Sequence, residues 1–311
     1  MIDKTKGYIL GTIAAATYGM NPLFALPLYE AGMNPDSVLF FRYLFSLPIL
    51  AIMLKARGRS FKLNRNEIIP LMVAGLLISL SSLTLFMSYK HMDAGIASTI
   101  LFVYPVLVAL IMVFFFKERL TLQTIICMLV ASAGIALLCK GGDGITLSTK
   151  GIILVMASAL LYAIYIVGIN KSSLKNIATS KLTFYVLAFG LILFFVRVDF
   201  GQSLQFTDKW YLWGNLIALA LFPTVISFLC TTMAVQYIGS TQTAILGALE
   251  PVTALFFGIT IFGETLTNRG ILGIVMIIIA VSFIVSESSM KTYLVRLRKL
   301  FPKLPMKKKV S

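Results

Sequence analysis

AILGALEPVTALFFGITIFGETLT, residues 244–267, is an apolar run that carries one acid near its start, Glu250, set directly against Pro251. The same pattern stands 146 positions earlier, where Pro105, Val106, Phe116, Glu118, Leu120 and Thr121 fall on Pro251, Val252, Phe262, Glu264, Leu266 and Thr267 without a gap. An ungapped echo of this kind marks an internal repeat, so the chain is read as two halves before any residue is given a role. At the position of Glu250 the first half has Tyr104. The halves share a scaffold there and differ in chemistry.

Working outward, the whole chain is of this apolar kind. Its 311 residues are 59% hydrophobic and 13% charged, with a mean hydropathy of +0.93. That is too apolar for an ordinary soluble domain. Ten apolar runs can be placed, at 7–29, 37–54, 68–89, 94–116, 122–138, 151–169, 182–196, 211–235, 240–262 and 270–285. Runs of about 20 residues cross a ~30 Å hydrocarbon core at ~1.5 Å per helical residue. The first run follows Lys4 and Lys6 as a signal peptide would, but it extends well beyond a signal-peptide core and is read as a retained span. The expected fold is an all-α integral membrane protein with ten transmembrane helices.

The net charge of +15 favours anionic partners. The basic residues, however, lie at the ends of apolar runs and in the tail, which is a membrane-topology pattern and argues against nucleic acid. With the N-terminus inside, the inner connections hold Lys55, Arg57, Arg59, Lys62, Arg65, Lys117, Arg119, Lys171, Lys175 and Lys181, and the tail adds more. The outer set is Lys90, Lys140, Lys150, Arg197, Lys209 and Arg269. Both termini are therefore expected in the cytoplasm, with the chain multi-pass in the cell (inner) membrane.

Five spans per half is an odd number, so the second copy enters the membrane upside down. The charges agree with this: Lys117 and Arg119 of the inner connection give way to Gly263 and Thr265 in the outer one. The opening spans correspond too, with Lys6, Gly7, Leu10 and Tyr18 over Lys150, Gly151, Leu154 and Tyr162. The expected organisation is a first five-helix repeat at 1–140, an outer linker at 141–150, a second repeat at 151–286, inverted against the first, and a basic cytoplasmic tail at 287–311.

The chain resembles the EamA-type branch of the drug/metabolite transporter superfamily. The resemblance is carried by Tyr18-Gly19-Met20-Asn21-Pro22, by Phe41-Arg42-Tyr43 and by the two Pro-to-Glu-x-Leu-Thr segments, over about residues 7–286. Where members often have Trp before the first Gly, this chain has Tyr18. The resemblance implies a ten-helix alternating-access carrier, commonly an exporter of metabolites, amino acids or drugs.

Glu250 lies ~15 Å along its helix, close to the bilayer midplane. An acid there costs about 2.5–3.5 kcal/mol on insertion scales, so it is expected to face the protein interior or a water-filled cavity. It is the leading candidate for a cation-binding or proton-coupling group, against a purely structural acid, protonated or paired with Arg42. Arg42 is the basic residue inside a span. It either snorkels to the interface, pairs with Glu250, or holds a substrate carboxylate. Asn21, Tyr18, Tyr104, Tyr162 and Tyr165 are polar or amphipathic groups at span depth, read as cavity lining or as packing and interfacial residues. Tyr18 and Tyr162 occupy equivalent places in the two halves.

Pro22, Pro105 and Pro251 remove helical N–H donors, so the carbonyls of Tyr18, Leu101 and Gly247 are expected to be freed, and the helices to bend around a central site. Glu118 with Thr121, and Glu264 with Thr267, are read as structural turns, the threonines as helix N-caps. Gly7 with Gly11 and Gly270 with Gly273 allow close helix approach, either in a homodimer or within the chain. The basic tail is expected along the anionic inner leaflet.

Cys127, Cys139 and Cys230 lie in separate runs without metal-ligand spacing, and the glycine-rich 140–144 segment lacks the residues of a phosphate loop. No cofactor or metal is expected. Without a zinc motif, a GxSxG elbow or paired acids, the chain is not read as an enzyme. The function expected is a secondary transporter moving a small organic solute, an exporter by alternating access, proton-coupled through Glu250. An uncoupled uniporter is the nearest alternative, and a channel, which would call for rings of like charge, a more distant one.

Overall fold

The computed structural model describes residues 2–92, 94–118, 120–139, 148–262, 268–269, 271–273, 275–280 and 283. Among the described residues there are no strands. The α-helices are α1 (Ile2–Tyr18), α2 (Asn21–Glu30), α3 (Pro35–Ala56), α4 (Arg65–Ser88), α5 (Ala94–Leu101), α6 (Tyr104–Phe116) and α7 (Leu122–Cys139). They continue as α8 (Thr149–Lys171), α9 (Thr179–Arg197), α10 (Trp210–Ala220), α11 (Ser227–Ile238), α12 (Ser240–Leu246) and α13 (Leu249–Phe262). Six segments are long and apolar enough to cross a membrane: Lys4–Glu30, Pro35–Ala56, Arg65–Ser88, Thr149–Lys171, Thr179–Arg197 and Trp210–Ile238. Shorter apolar helices are Tyr104–Phe116, Leu122–Gly134 and Ile271–Ala280. Large apolar side chains such as Ile52, Phe114, Phe115 and Leu129 face outward, as in a fold solvated by lipid.

Three of the expected continuous runs are each divided into two helices. The divisions fall at Gly19–Met20, Phe102–Val103 and Gly247–Ala248. In each case a proline stands in the first turn of the following helix, Pro22 in α2, Pro105 in α6 and Pro251 in α13. Its missing N–H is harmless in a first turn, where the donors are unpaired in any case, and would break a ladder anywhere else. Between α10 and α11 the chain takes a different route past Pro223, through a π-helical turn at Leu221–Ile226 that keeps the axis continuous.

Packing pairs the elements in an equivalent way across the repeat. α4 lies against α8 as α1 lies against α11, α4 meets α9 as α10 meets α3, and α3 packs on its counterpart α9. One hydrogen bond occurs in both copies. Ser81 Oγ donates to the Ser158 carbonyl at 3.0 Å, and Ser227 Oγ donates to the Ala14 carbonyl at 3.0 Å. In repeat register Ser81 falls on Ser227 and Ala14 on Ser158.

The small-residue faces are filled from within the chain. Gly7 sits against Ile238 and Tyr237, Gly11 against Leu246, and Gly134 against the backbone of Gly273. A side chain at any of these would meet its neighbour, so their job is helix contact inside this molecule. Gly270 lies outside the described residues.

Candidate functional site

The divided helices converge. Gly19, at the division between α1 and α2, rests on the carbonyl of Glu250, and no side chain would fit between them. Gly247, at the division between α12 and α13, rests in the same way on the hydroxyl of Tyr104, the first residue of α6. Tyr104 Oη in turn donates to Glu250 Oε1 at 3.3 Å. Two close glycine approaches and one hydrogen bond thus draw the midpoints of three interrupted segments to a single place.

A small cleft opens beside that place. Tyr18, Gly19, Asn21 and Pro22 line it from the first divided segment, Leu85 and Tyr89 from the end of α4, Ser98 and Leu101 from α5, and Glu250 and Ala254 from α13. Glu250 is 8% exposed, and among the described residues no ion pair involves it. Asn21 is buried with both amide atoms, Oδ1 and Nδ2, unpartnered. An unsatisfied acceptor and donor beside a cleft can take up polar groups of a ligand, and leaving them empty inside apolar surroundings is costly.

The tyrosines form a continuous ladder. Tyr18 and Tyr162, equivalent in the repeat, lie face to face with centroids 6.0 Å apart and planes within 6°. Tyr162 stacks next on Tyr165 at 6.2 Å and meets Tyr104 edge-on at 4.8 Å. Tyr18 and Tyr104 therefore touch the acid's neighbourhood from two sides, while Tyr165 stands one ring further away and is not part of the cleft wall.

Arg42 departs from two of the three readings of its sequence context. It is completely buried, so it does not snorkel to an interface, and it makes no ion pair with Glu250. The reason is the π-helical turn, which bulges toward α3. Arg42 Nε donates to Thr224 Oγ1 at 2.6 Å and Nη2 to the Pro223 carbonyl at 3.2 Å. The guanidinium also lies 5.3 Å from the Phe86 ring centroid and 6.0 Å from that of Phe228. Nη1 is buried without a partner.

Gly247 is a second correction. Pro251 does remove a donor, but the Gly247 carbonyl is taken by the N–H of Glu250 at 2.8 Å, because the chain tightens to a shorter hydrogen-bonded turn at the division.

The first of the two turns is well formed. Lys117 adopts the left-handed region at φ 53 and ends α6, with its N–H on Val113 and that of Glu118 on Met112. Thr121 Oγ1 accepts the N–H of Thr124 and caps α7. Glu118 pairs with Lys171 of α8 at 3.7 Å. Glu264, Thr267, the tail and residues 141–147 of the linker lie outside the described residues.

Leu85, Tyr89, Ser98 and Ala254 line the cleft without having been singled out from sequence, and Pro223 and Thr224 hold Arg42. Pro223 was a usable signal, being a further proline deep within an apolar run.

Helices of spanning length, interrupted at the centre around a buried acid, define a multi-pass membrane transporter as the class of protein. The chain belongs to the EamA-like transporter family, whose model matches it twice, over residues 5–139 and 149–286. A protein of Archaeoglobus fulgidus described as an uncharacterized transporter is 29% identical over 256 residues, covering 81% of this chain and 87% of its own. The uncharacterized transporter YxxF of Bacillus subtilis is 23% identical over 285 residues, covering 88% of each. A solved crystal structure, 17% identical, superposes with a TM-score of 0.74 over 90% of this chain and 96% of its own, and so shares the fold.

Proposed function

We propose that the protein is a secondary carrier of ten spans, two inverted five-helix halves, that exports a small organic solute by alternating access and couples the movement to protons through Glu250. The observation that carries this reading is the position of Glu250, at the wall of the cleft with Tyr104 as its hydrogen-bond partner and no cation paired with it among the described residues. An acid so placed can exchange a proton or a cationic group with whatever enters, which a structural acid locked in an ion pair cannot do.

The repeat supports the alternating part. Exchanging the halves carries the cleft residues Tyr18, Asn21, Leu101 and Glu250 onto Tyr162, Tyr165, Gly247 and Tyr104. Those four are buried against one another, with Tyr104 on Gly247 and Tyr162 between Tyr104 and Tyr165. In the opposite state the two sets would trade places, with the Tyr8–Gln242 bond at 2.8 Å and the Asn170–Ser240 bond at 3.1 Å released. Both termini face the cytoplasm in this reading, with the basic tail on the anionic leaflet, and the export direction rests on the family resemblance.

The test is a thermal-shift screen of the purified chain over amino acids, amines, nucleosides and sugars, followed by transport of the hits in proteoliposomes with an imposed pH gradient. Glu250→Gln is expected to bind the solute and lose gradient-driven accumulation. Unchanged rate and pH dependence in that variant would sink the coupling assignment.

A further inference from the structure

Arg42 is a buried charge that this carrier reading leaves unused. A guanidinium cannot shed its proton, and burying an unpaired charge is among the most costly things a fold can do. Among the described residues no carboxylate lies within ion-pair distance of it. One edge of the fork is spent on Thr224 and the Pro223 carbonyl, two neutral acceptors. The other edge ends in Nη1, buried and unpartnered. A structural arginine would have that edge satisfied as well.

The unpartnered amide of Asn21 belongs to the same neighbourhood. Asn21 is three residues from Phe24 on α2, so these two share a helix face. Tyr18 packs on Phe228, the ring that also flanks the guanidinium, and Phe24 stacks on Phe222, next to the Pro223 that holds Nη2. On the other side Phe86 carries the guanidinium and touches Tyr89 of the cleft wall at 5.4 Å. Arg42 is thus tied to the cleft wall through Phe228 and Tyr18 and through Phe86 and Tyr89, and Asn21 is itself part of that wall.

We propose that Arg42 Nη1 and Asn21 Nδ2 form a built site for the carboxylate of the transported solute. The class of substrate is then a small organic acid whose carboxylate completes the arginine's fork while its remaining part occupies the cleft against Tyr18 and Tyr89. In repeat register the counterpart of Arg42 on α9 falls at Val186 or Leu187, so the site, like Glu250, exists in one half alone. Its place in transport rests on the carrier reading; its binding chemistry does not.

The experiment measures binding to the full chain in lipid nanodiscs, using acetate, succinate, benzoate and 3-phenylpropionate, each against its own amide. At least one acid is expected to bind about tenfold more tightly than its amide, the weight of one charge-assisted hydrogen bond. Arg42→Gln should erase that preference, and Lys117→Gly, at a turn away from the cleft, should keep it. Since Arg42→Gln removes a buried group, Asn21→Asp is the second variant: it supplies an internal carboxylate to Nη1 and should fold at least as stably while losing acid binding. If no acid outcompetes its amide, or Asn21→Asp binds the acid as the wild type does, the site is overturned. Competition by chloride at equal strength would also overturn it, in favour of a resident inorganic anion. Turnover of solutes in proteoliposomes with no Arg42-dependent preference for acids would reject this site and leave the carrier standing. Arg42-dependent acid binding in a protein that moves nothing would support the site and reject the carrier.

Discussion

Tyr104 donates its hydroxyl to Glu250 across 3.3 Å, and the two residues are 146 positions apart, the offset of the repeat itself. Each stands immediately before the proline that opens the second helix of its divided segment, Pro105 or Pro251. The pseudo-symmetric scaffold therefore brings one register position into contact with itself, and the sequence has put a donor on one side and an acid on the other. Tyr104→Phe keeps the ring against Tyr162 and removes only the donor. We expect a loss of about 1 kcal/mol in stability and an altered pH dependence of transport at unchanged solute affinity. Paired flux and binding curves would check this, and identical pH profiles for variant and wild type would refute it.

Lys117 offers a test of the scaffold that leaves the site alone. It holds φ at 53, a region that a side chain occupies at some cost and glycine does not. The second copy has Gly263 at this position. Lys117→Gly is expected to be stabilising or neutral, with a gain of up to about 1 kcal/mol, read by thermal unfolding in detergent. A clear destabilisation would mean that the lysine side chain contributes more to the turn than its backbone strain removes.

The duplicated serine bond makes a quantitative prediction. Ser227→Ala removes the bond to the Ala14 carbonyl, and Ser81→Ala removes the matching bond to Ser158. Bonds of this kind between membrane helices average about 0.6 kcal/mol, and the two variants should fall within a few tenths of each other. In the α4–α8 copy Ser158 Oγ still donates back to the Ser81 carbonyl at 2.7 Å, so that interface keeps a bond the α1–α11 interface lacks. Markedly unequal costs would show that the copies no longer share the load.

These relationships differ in how far they could be read from the chain. Apolar runs and the echo of 98–121 in 244–267 are properties of contiguous sequence, and they yielded the positions of the helices and the isolated acid. The divisions at Gly19, Phe102 and Gly247 were half visible: proline announces an interruption, but whether the axis bends, splits or takes a π turn, as at Pro223, depends on what packs beside it. Two of the three readings of Arg42 fell for the same reason. Its depth in the run is a local fact, whereas its partners, Thr224 and the Pro223 carbonyl, lie 182 and 181 residues away. The cleft wall was least legible, because Leu85, Ser98 and Ala254 are ordinary residues brought to the cleft only by the helix face they occupy.

Gly247 joins the scaffold to the chemistry, and a single methyl group there should separate them. An alanine Cβ would collide with the Tyr104 hydroxyl and come within 2.8 Å of its Cζ. Because the Tyr104 ring is held on its other side by Tyr162 at 4.8 Å and Phe102 at 5.7 Å, it can yield only by shifting off Glu250. Gly247→Ala is thus expected to cost about 1–3 kcal/mol, as overpacking of a close-fitted core does, and to reproduce the altered pH dependence of Tyr104→Phe. Truncating the partner should relieve the collision: in the double variant Tyr104→Ala/Gly247→Ala, the glycine substitution should cost less than it does in the wild type, by an interaction energy of at least about 1 kcal/mol. Unfolding midpoints of the four proteins measure that difference. Strict additivity would show that Gly247 is needed for some other contact, and that the hydroxyl of Tyr104 is not what the absence of a side chain makes room for.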